Sequence, residues 1–145
     1  MRHVVTLHVI VDGANVVGSR PDGWWRDRAG AARRLAGRIV AVLTVDPGGL
    51  AEAMGHPGAD LRVHLVLEGV AARAEDLPSH PRLDVVRAPA DGDSTIVALA
   101  ADLATDGSGG PIVVVTADRA LRERVRAPAV TPVGPGTLLN ALPPA

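Results

Sequence analysis

Short, mostly apolar runs alternate along this chain with stretches whose apolar positions recur at helical spacing. Thr6 to Val11, Leu61 to Leu67, Leu83 to Arg87 and Ile112 to Val115 have the length of buried strands, and Ala129 to Val133 is a weaker fifth. Between them, Leu35, Ile39 and Val42 fall on one face of a helix expected from near Trp24 to Leu43. Ile96, Val97, Ala100 and Leu103 do the same over Ser94 to Ala104, which places Asp93 at the position of an N-cap. Shorter helical pieces are expected between Pro47-Gly48-Gly49 and His56-Pro57-Gly58, over Val70 to Asp76, over Arg119 to Val125, and over Thr137 to Leu142. A turn-rich stop, Asp106-Gly-Ser-Gly-Gly-Pro, separates the fourth helical piece from the fourth strand. Strands alternating with helices predict an α/β fold with a mostly parallel sheet of four or five strands and right-handed crossovers.

Acidic residues fall where these strands run out. Asp12 follows the first, Glu68 the second, Asp91-Gly92-Asp93 the third and Asp118 the fourth. In an open parallel sheet ligands bind beyond the carboxyl ends of the strands, so acids distant in sequence converge there on one pocket. A pocket of carboxylates suits a hard divalent cation such as Mg²⁺ or Mn²⁺. Each acid alone has a bland explanation. Asp12 could be a turn residue, Asp93 a helix cap, and Asp118 an acid placed to suit a helix dipole. Their recurrence at successive strand ends outweighs those separate readings. Asn15, three residues after Asp12, is suited to cap the turn or to hold a carboxylate rotamer. Asp102 is nine helical steps from Asp93, on the opposite face, and reads as a solvated side chain.

Composition narrows the remaining choices. At 145 residues the chain has the length of one domain, 1–145, with an aliphatic core, since it holds no Phe or Tyr and only Trp24 and Trp25 as aromatics. Without cysteine there is no disulfide, thiolate metal site or cysteine nucleophile. No secretory leader and no membrane-length apolar run is present, so a cytoplasmic protein with no membrane partner is expected. The net charge of -1 argues against a globally basic nucleic-acid binder, yet every cation is Arg and the arginines cluster around Arg20 to Arg38 and Arg119 to Arg126. Either a compositional preference for Arg or bidentate phosphate contact explains this. Arg26, Arg28 and Arg119 are the candidates for phosphate contact. Trp24 is a candidate for base stacking, against the commoner structural role of tryptophan. The five histidines are scattered without metal-ligand spacing and read as surface or sheet-face residues.

Three blocks carry a resemblance beyond these spacings. Val11-Asp12-Gly13-Ala14-Asn15-Val16-Val17-Gly18, Asp91-Gly92-Asp93-Ser94-Thr95-Ile96 and Val115-Thr116-Ala117-Asp118-Arg119-Ala120-Leu121-Arg122 resemble, in order, the signature blocks of the PIN-like NYN domains, above all the bacterial YacP-like branch. The resemblance implies a Rossmann-like three-layer sandwich and a metal-dependent ribonuclease. It further implies that Asp12, Asn15, Asp93 and Asp118 surround the metal. This chain departs from the family in carrying Glu68 at the end of the second strand, where an Asp is common. Receiver domains and haloacid-dehalogenase-like phosphatases, also α/β folds with an early Asp, each need a functional Lys, and the chain has none. A Toprim-like reading would leave Asp12, Asn15 and Asp118 unexplained, and no Gly-rich nucleotide fingerprint is present.

The expectation is therefore an RNA-cleaving phosphodiesterase with Asp12, Asp93 and Asp118 as ligands of Mg²⁺ or Mn²⁺ and Glu68 or Asp91 in the outer shell. Hydrolysis of a small nucleotide pyrophosphate is the alternative within enzymes. A catalytically silent module that binds RNA or a protein is the alternative outside them.

Overall fold

A computed structural model describes residues 5–106 and 110–144, so His3 and the middle of the turn expected over 106–111 lie outside the described residues. Five strands, β1 (Thr6–Asp12), β2 (Asp60–Leu67), β3 (Leu83–Arg87), β4 (Ile112–Val115) and β5 (Val130–Val133), form one sheet in the order β3-β2-β1-β4-β5. Every neighbouring pair is parallel. The fold is α/β, a Rossmann-like sandwich with helices on both faces, and its sheet is wholly rather than mostly parallel. The central strands β1, β2 and β4 are covered on both sides, which is why they read as mostly apolar runs.

The two faces bury different side chains of the same strands. Leu7, Val9 and Val11 point with Leu65, Leu67, Val113 and Val115 toward α1 (Gly13–Gly18), α2 (Arg28–Val45), α3 (Pro47–Ala53) and α6 (Pro135–Ala141). Ile10 points with Val66, Ile112 and Val114 toward α4 (Gly92–Thr105) and α5 (Arg119–Arg124). His8 and His64 share that second face, buried, with His8 Nδ1 2.9 Å from His64 Nε2. Burial lowers the pKa of both rings, so the pair is held by one imidazole N–H donating to the other ring.

Several helix starts differ from the sequence expectation, each for a local reason. The helix expected from Trp24 begins at Arg28, because Gly23 is left-handed at φ 85° and Asp27 caps α2 by accepting the Gly30 N–H at 2.9 Å. Trp24–Arg26 is a single 3₁₀ turn before it. The helix expected over Val70 to Asp76 is likewise only a 3₁₀ turn, Ala71–Arg73. Asp93 is not the N-cap of α4. Asp91 is, in extended conformation, its carboxylate accepting the Ser94 N–H at 2.7 Å, while Asp93 lies inside the first turn. An N-cap needs non-helical backbone, and Gly92 has already entered the helix.

No periodic pattern announces α1, since six residues are too few to show one. Its position rests on Gly13. A Cβ there would lie 2.6 Å from the Val66 carbonyl oxygen and 2.9 Å from Leu67 Cδ2, so only glycine lets the chain turn into a helix directly against β2. We expect Gly13→Ala to destabilise the protein by about 1–3 kcal/mol, the usual cost of overpacking. Gly48→Ala, exposed within α3 with nothing within 4 Å of its Cβ, should instead stabilise by about 0.4–1 kcal/mol. Urea unfolding of the two variants checks both signs.

Candidate functional site

From β1 the sheet grows through β2 and β3 on one side and through β4 and β5 on the other, so the strand order reverses at the β1–β4 boundary. A crevice opens at the carboxyl ends of such a pair. Asp12 occupies it. Its residue is 5% exposed, and both carboxylate oxygens are engaged: Oδ1 accepts the Asn15 N–H at 3.3 Å and Oδ2 accepts the Thr116 hydroxyl at 2.9 Å. Thr116 Oγ1 in turn accepts the Asp118 N–H at 3.1 Å, so one hydroxyl ties the end of β1 to the start of α5. Asn15 makes a second tie. Its side-chain oxygen accepts the Ala117 N–H at 2.9 Å. Of the two roles the sequence allows Asn15, its side chain holds the Ala117 turn through backbone, and it is the Asn15 backbone N–H, not the side chain, that meets the Asp12 carboxylate.

Glu68 and the Asp91–Asp93 segment complete the acidic side. Glu68 Oε2 accepts the Gly92 N–H at 2.9 Å, which links the end of β2 to the start of α4. Asp118 caps α5 through the Leu121 N–H at 3.1 Å. Burial pushes the Asp12 carboxyl above its ordinary pKa against the pull of its Thr116 and Asn15 hydrogen bonds, and the charges of Asp93 and Glu68 push the same way. Burial also raises Asp93, followed by repulsion from Asp118 and Glu68; Arg124 opposes them. The charges of Asp93 and Glu68 thus reach Asp12, and those of Asp118 and Glu68 reach Asp93. Asp91 behaves oppositely, its pKa lowered by the Ser94 backbone and hydroxyl donors. It is exposed and committed to capping.

Hard oxygen donors under mutual repulsion are chemically suited to Mg²⁺ or Mn²⁺. Among the described residues, however, no three acidic or imidazole groups are already arranged as a ligand set. The acids share a field rather than a closed cage. Two arginines of α5 reach this edge: Arg122 donates Nε to the Thr116 carbonyl at 2.8 Å, and Arg124 acts on Asp93 and Asp91. Sequence reasoning missed both Thr116 and Arg124. A threonine immediately past a Val-Val-Val strand was the available signal for the first, and the Arg119 to Arg126 cluster for the second.

The four substrate-binding candidates separate. Arg119 opens α5 next to Asp118 and is exposed. Arg26 lies 5.9 Å from the ring of Trp25, which is 51% exposed. Arg28 lies 5.3 Å from the Trp24 ring, and these two line a cavity of about 430 Å³ together with Ala14, Leu67, Glu68 and Asp91. Glu68 and Asp91 are thus shared between the cavity wall and the acidic strand ends.

No protein-family model matches the chain, and no curated protein matches it in sequence. Among solved structures it is similar to Rae1 (YacP) from Bacillus subtilis, determined as a W164L mutant, with a TM-score of 0.57 at 19% identity. The similarity spans 92% of this chain and 72% of that one. It shows a structural relationship to the YacP-like fold.

Two substitutions separate capping from charge repulsion. Asp91→Ala should lower the melting temperature through loss of the α4 cap. Asp93→Asn removes a carboxyl whose pKa is raised in the folded state, so the native protein is penalised once pH exceeds the ordinary value of 3.8 and is not penalised below it. The variant should melt higher than wild type at neutral pH in EDTA, with the gain disappearing as pH falls below that value. Thermal melts across pH check it.

Proposed function

We propose that the chain is a metal-dependent phosphodiesterase acting on RNA. The observation that carries this reading is Asp12, a buried carboxylate at the switch point whose charge is disfavoured by its burial and by Asp93 and Glu68. An acid placed so costs stability, and a cation relieves it. The order of the three signature blocks supports RNA as the substrate, and the similarity in fold to Rae1 (YacP) is in keeping with it.

In this reading Asp12, Asp93 and Asp118 hold Mg²⁺ or Mn²⁺, with Glu68 beside them. Asp91, spent on the Ser94 donors, contributes structure. A bound divalent ion lowers the pKa of its water and offsets charge on a reacting phosphate. The chain's own residues keep the acids in place: Thr116 fixes Asp12, Asn15 holds the Ala117–Asp118 loop against the β1 end, and the Gly92 N–H holds Glu68. Arg28 and Arg119 supply phosphate contacts beside the acids, where Arg can bond two oxygens at once. No protein nucleophile is required.

The cavity of about 430 Å³ favours a second reading, hydrolysis of a free nucleotide, because it is sized for a small ligand. Purified protein should cleave single-stranded or structured RNA in Mn²⁺ or Mg²⁺ and not in EDTA. Asp93→Asn should fold and lose activity by more than about 100-fold, beyond the 10–100-fold cost of removing a group that only orients a ligand. Mn²⁺ should raise the melting temperature of wild type and much less that of Asp93→Asn. Turnover of nucleoside triphosphates without RNA cleavage would select the second reading, and no turnover with either metal would leave a binding module.

A further inference from the structure

We infer that the cavity bounded by Trp24, Arg28 and Glu68 is a nucleobase subsite that prefers guanine, an inference that deepens the RNA reading by naming what the site recognises beside the reacting phosphate. Three features converge on a base. The first is a flat wall: Trp24, held with its indole against Gly18, whose added Cβ would lie 3.6 Å from Cζ2, carries the Arg28 guanidinium 5.3 Å from its ring. Indole faces and guanidinium planes are the surfaces on which unpaired bases stack. The second is apolar lining from Ala14, Leu67 and Ala71, within about 430 Å³. That volume lies in the range of small-ligand sites.

The third feature sets the choice of base. Besides Arg28, the charged groups lining the cavity are the carboxylates of Glu68 and Asp91. Both oxygens of Asp91 accept from Ser94, whereas Glu68 uses only Oε2, for the Gly92 N–H; Oε1 accepts no hydrogen bond from the described residues. An ionised carboxylate accepts and does not donate. It suits a base edge with adjacent N–H donors, which guanine presents at N1 and N2, and it repels the carbonyl-rich edge of uracil. A smaller hollow of about 90 Å³ beside Arg34 and Arg38 does not compete, since Arg38 is spent on the carbonyls of Leu139 and Pro143.

The test uses nucleosides, which carry no phosphate and so do not engage a metal centre. In a Trp25→Phe background Trp24 is the sole indole, and its fluorescence is titrated in EDTA with guanosine, uridine and ribose. We expect saturable quenching by guanosine, at least about tenfold weaker binding of uridine, and none by ribose; tenfold is about the lower bound for a hydrogen bond to a charged group. Ala14→Phe, at an exposed position that lines the cavity, should fill it and weaken guanosine binding by at least the same factor without lowering the melting temperature. Should Ala14→Phe fail to fold, Glu68→Gln decides in its place by reducing the preference for guanosine over uridine. Absence of saturable quenching, equal response to guanosine and uridine, or unchanged binding in the variant that folds would overturn the subsite. RNA cleavage assayed on the same preparations keeps the two claims apart: cleavage without guanosine binding overturns the subsite alone, and guanosine binding without cleavage overturns the nuclease reading alone.

Discussion

Like charges gathered at the ends of parallel strands are the constraint on which this molecule turns. A parallel sheet sends every strand end to the same edge, so acids that follow β1, β2 and β4, with those that open α4 after β3, meet whether or not they repel. Two of them, Asp12 and Asp93, are raised in pKa first by burial and then by their neighbours. The fold therefore concentrates negative charge at one edge of the sheet and raises the pKa of two of its acids, an arrangement commoner at functional sites than elsewhere.

The surrounding structure serves to keep that charge in place. Gly13 lets α1 start against the Val66 carbonyl, which fixes Asp12 as both strand terminus and helix cap. Thr116 and Asn15 each span more than 100 residues of sequence to join the β1 end to the β4 end. The Gly92 N–H does the same for β2 and α4 through Glu68. The Thr116 and Glu68 bonds are to buried or half-buried groups, where loss of one partner costs more than the bond is worth in water. Local order around the acids thus depends on contacts far apart in the chain, and it places the Trp24–Arg28 cavity directly beside them.

Much of this was legible in the sequence because strand and helix periodicities differ and because strand ends are marked by the first charge after an apolar run. All five strands fell where the apolar runs predicted, and Asp12, Glu68 and Asp118 fell at their ends. What was hidden was local. Capping depends on which residue leaves the helix, so Asp91 and Asp93, two residues apart, could not be told apart by type. A six-residue helix such as α1 carries no periodic signal, and the sequence leaves Asn15 open between a turn cap and a carboxylate partner because its contact with Ala117 is a tertiary one. Trp24 and Arg28 stood out as residue types, but only the folded chain shows them sharing one cavity wall with Glu68.

The central claim, that a divalent cation belongs at this edge of the sheet, is tested most directly by paramagnetic broadening of backbone amide signals in an NMR titration with Mn²⁺. Substoichiometric Mn²⁺ should first broaden the amides of Gly13, Gly69, Gly92 and Arg119, which adjoin the acids at the strand ends. Those of Asp60 and Ile112, at the opposite ends of β2 and β4, should stay sharp. Broadening that begins around His8 and His64, or spreads evenly over the surface acids, would contradict the account.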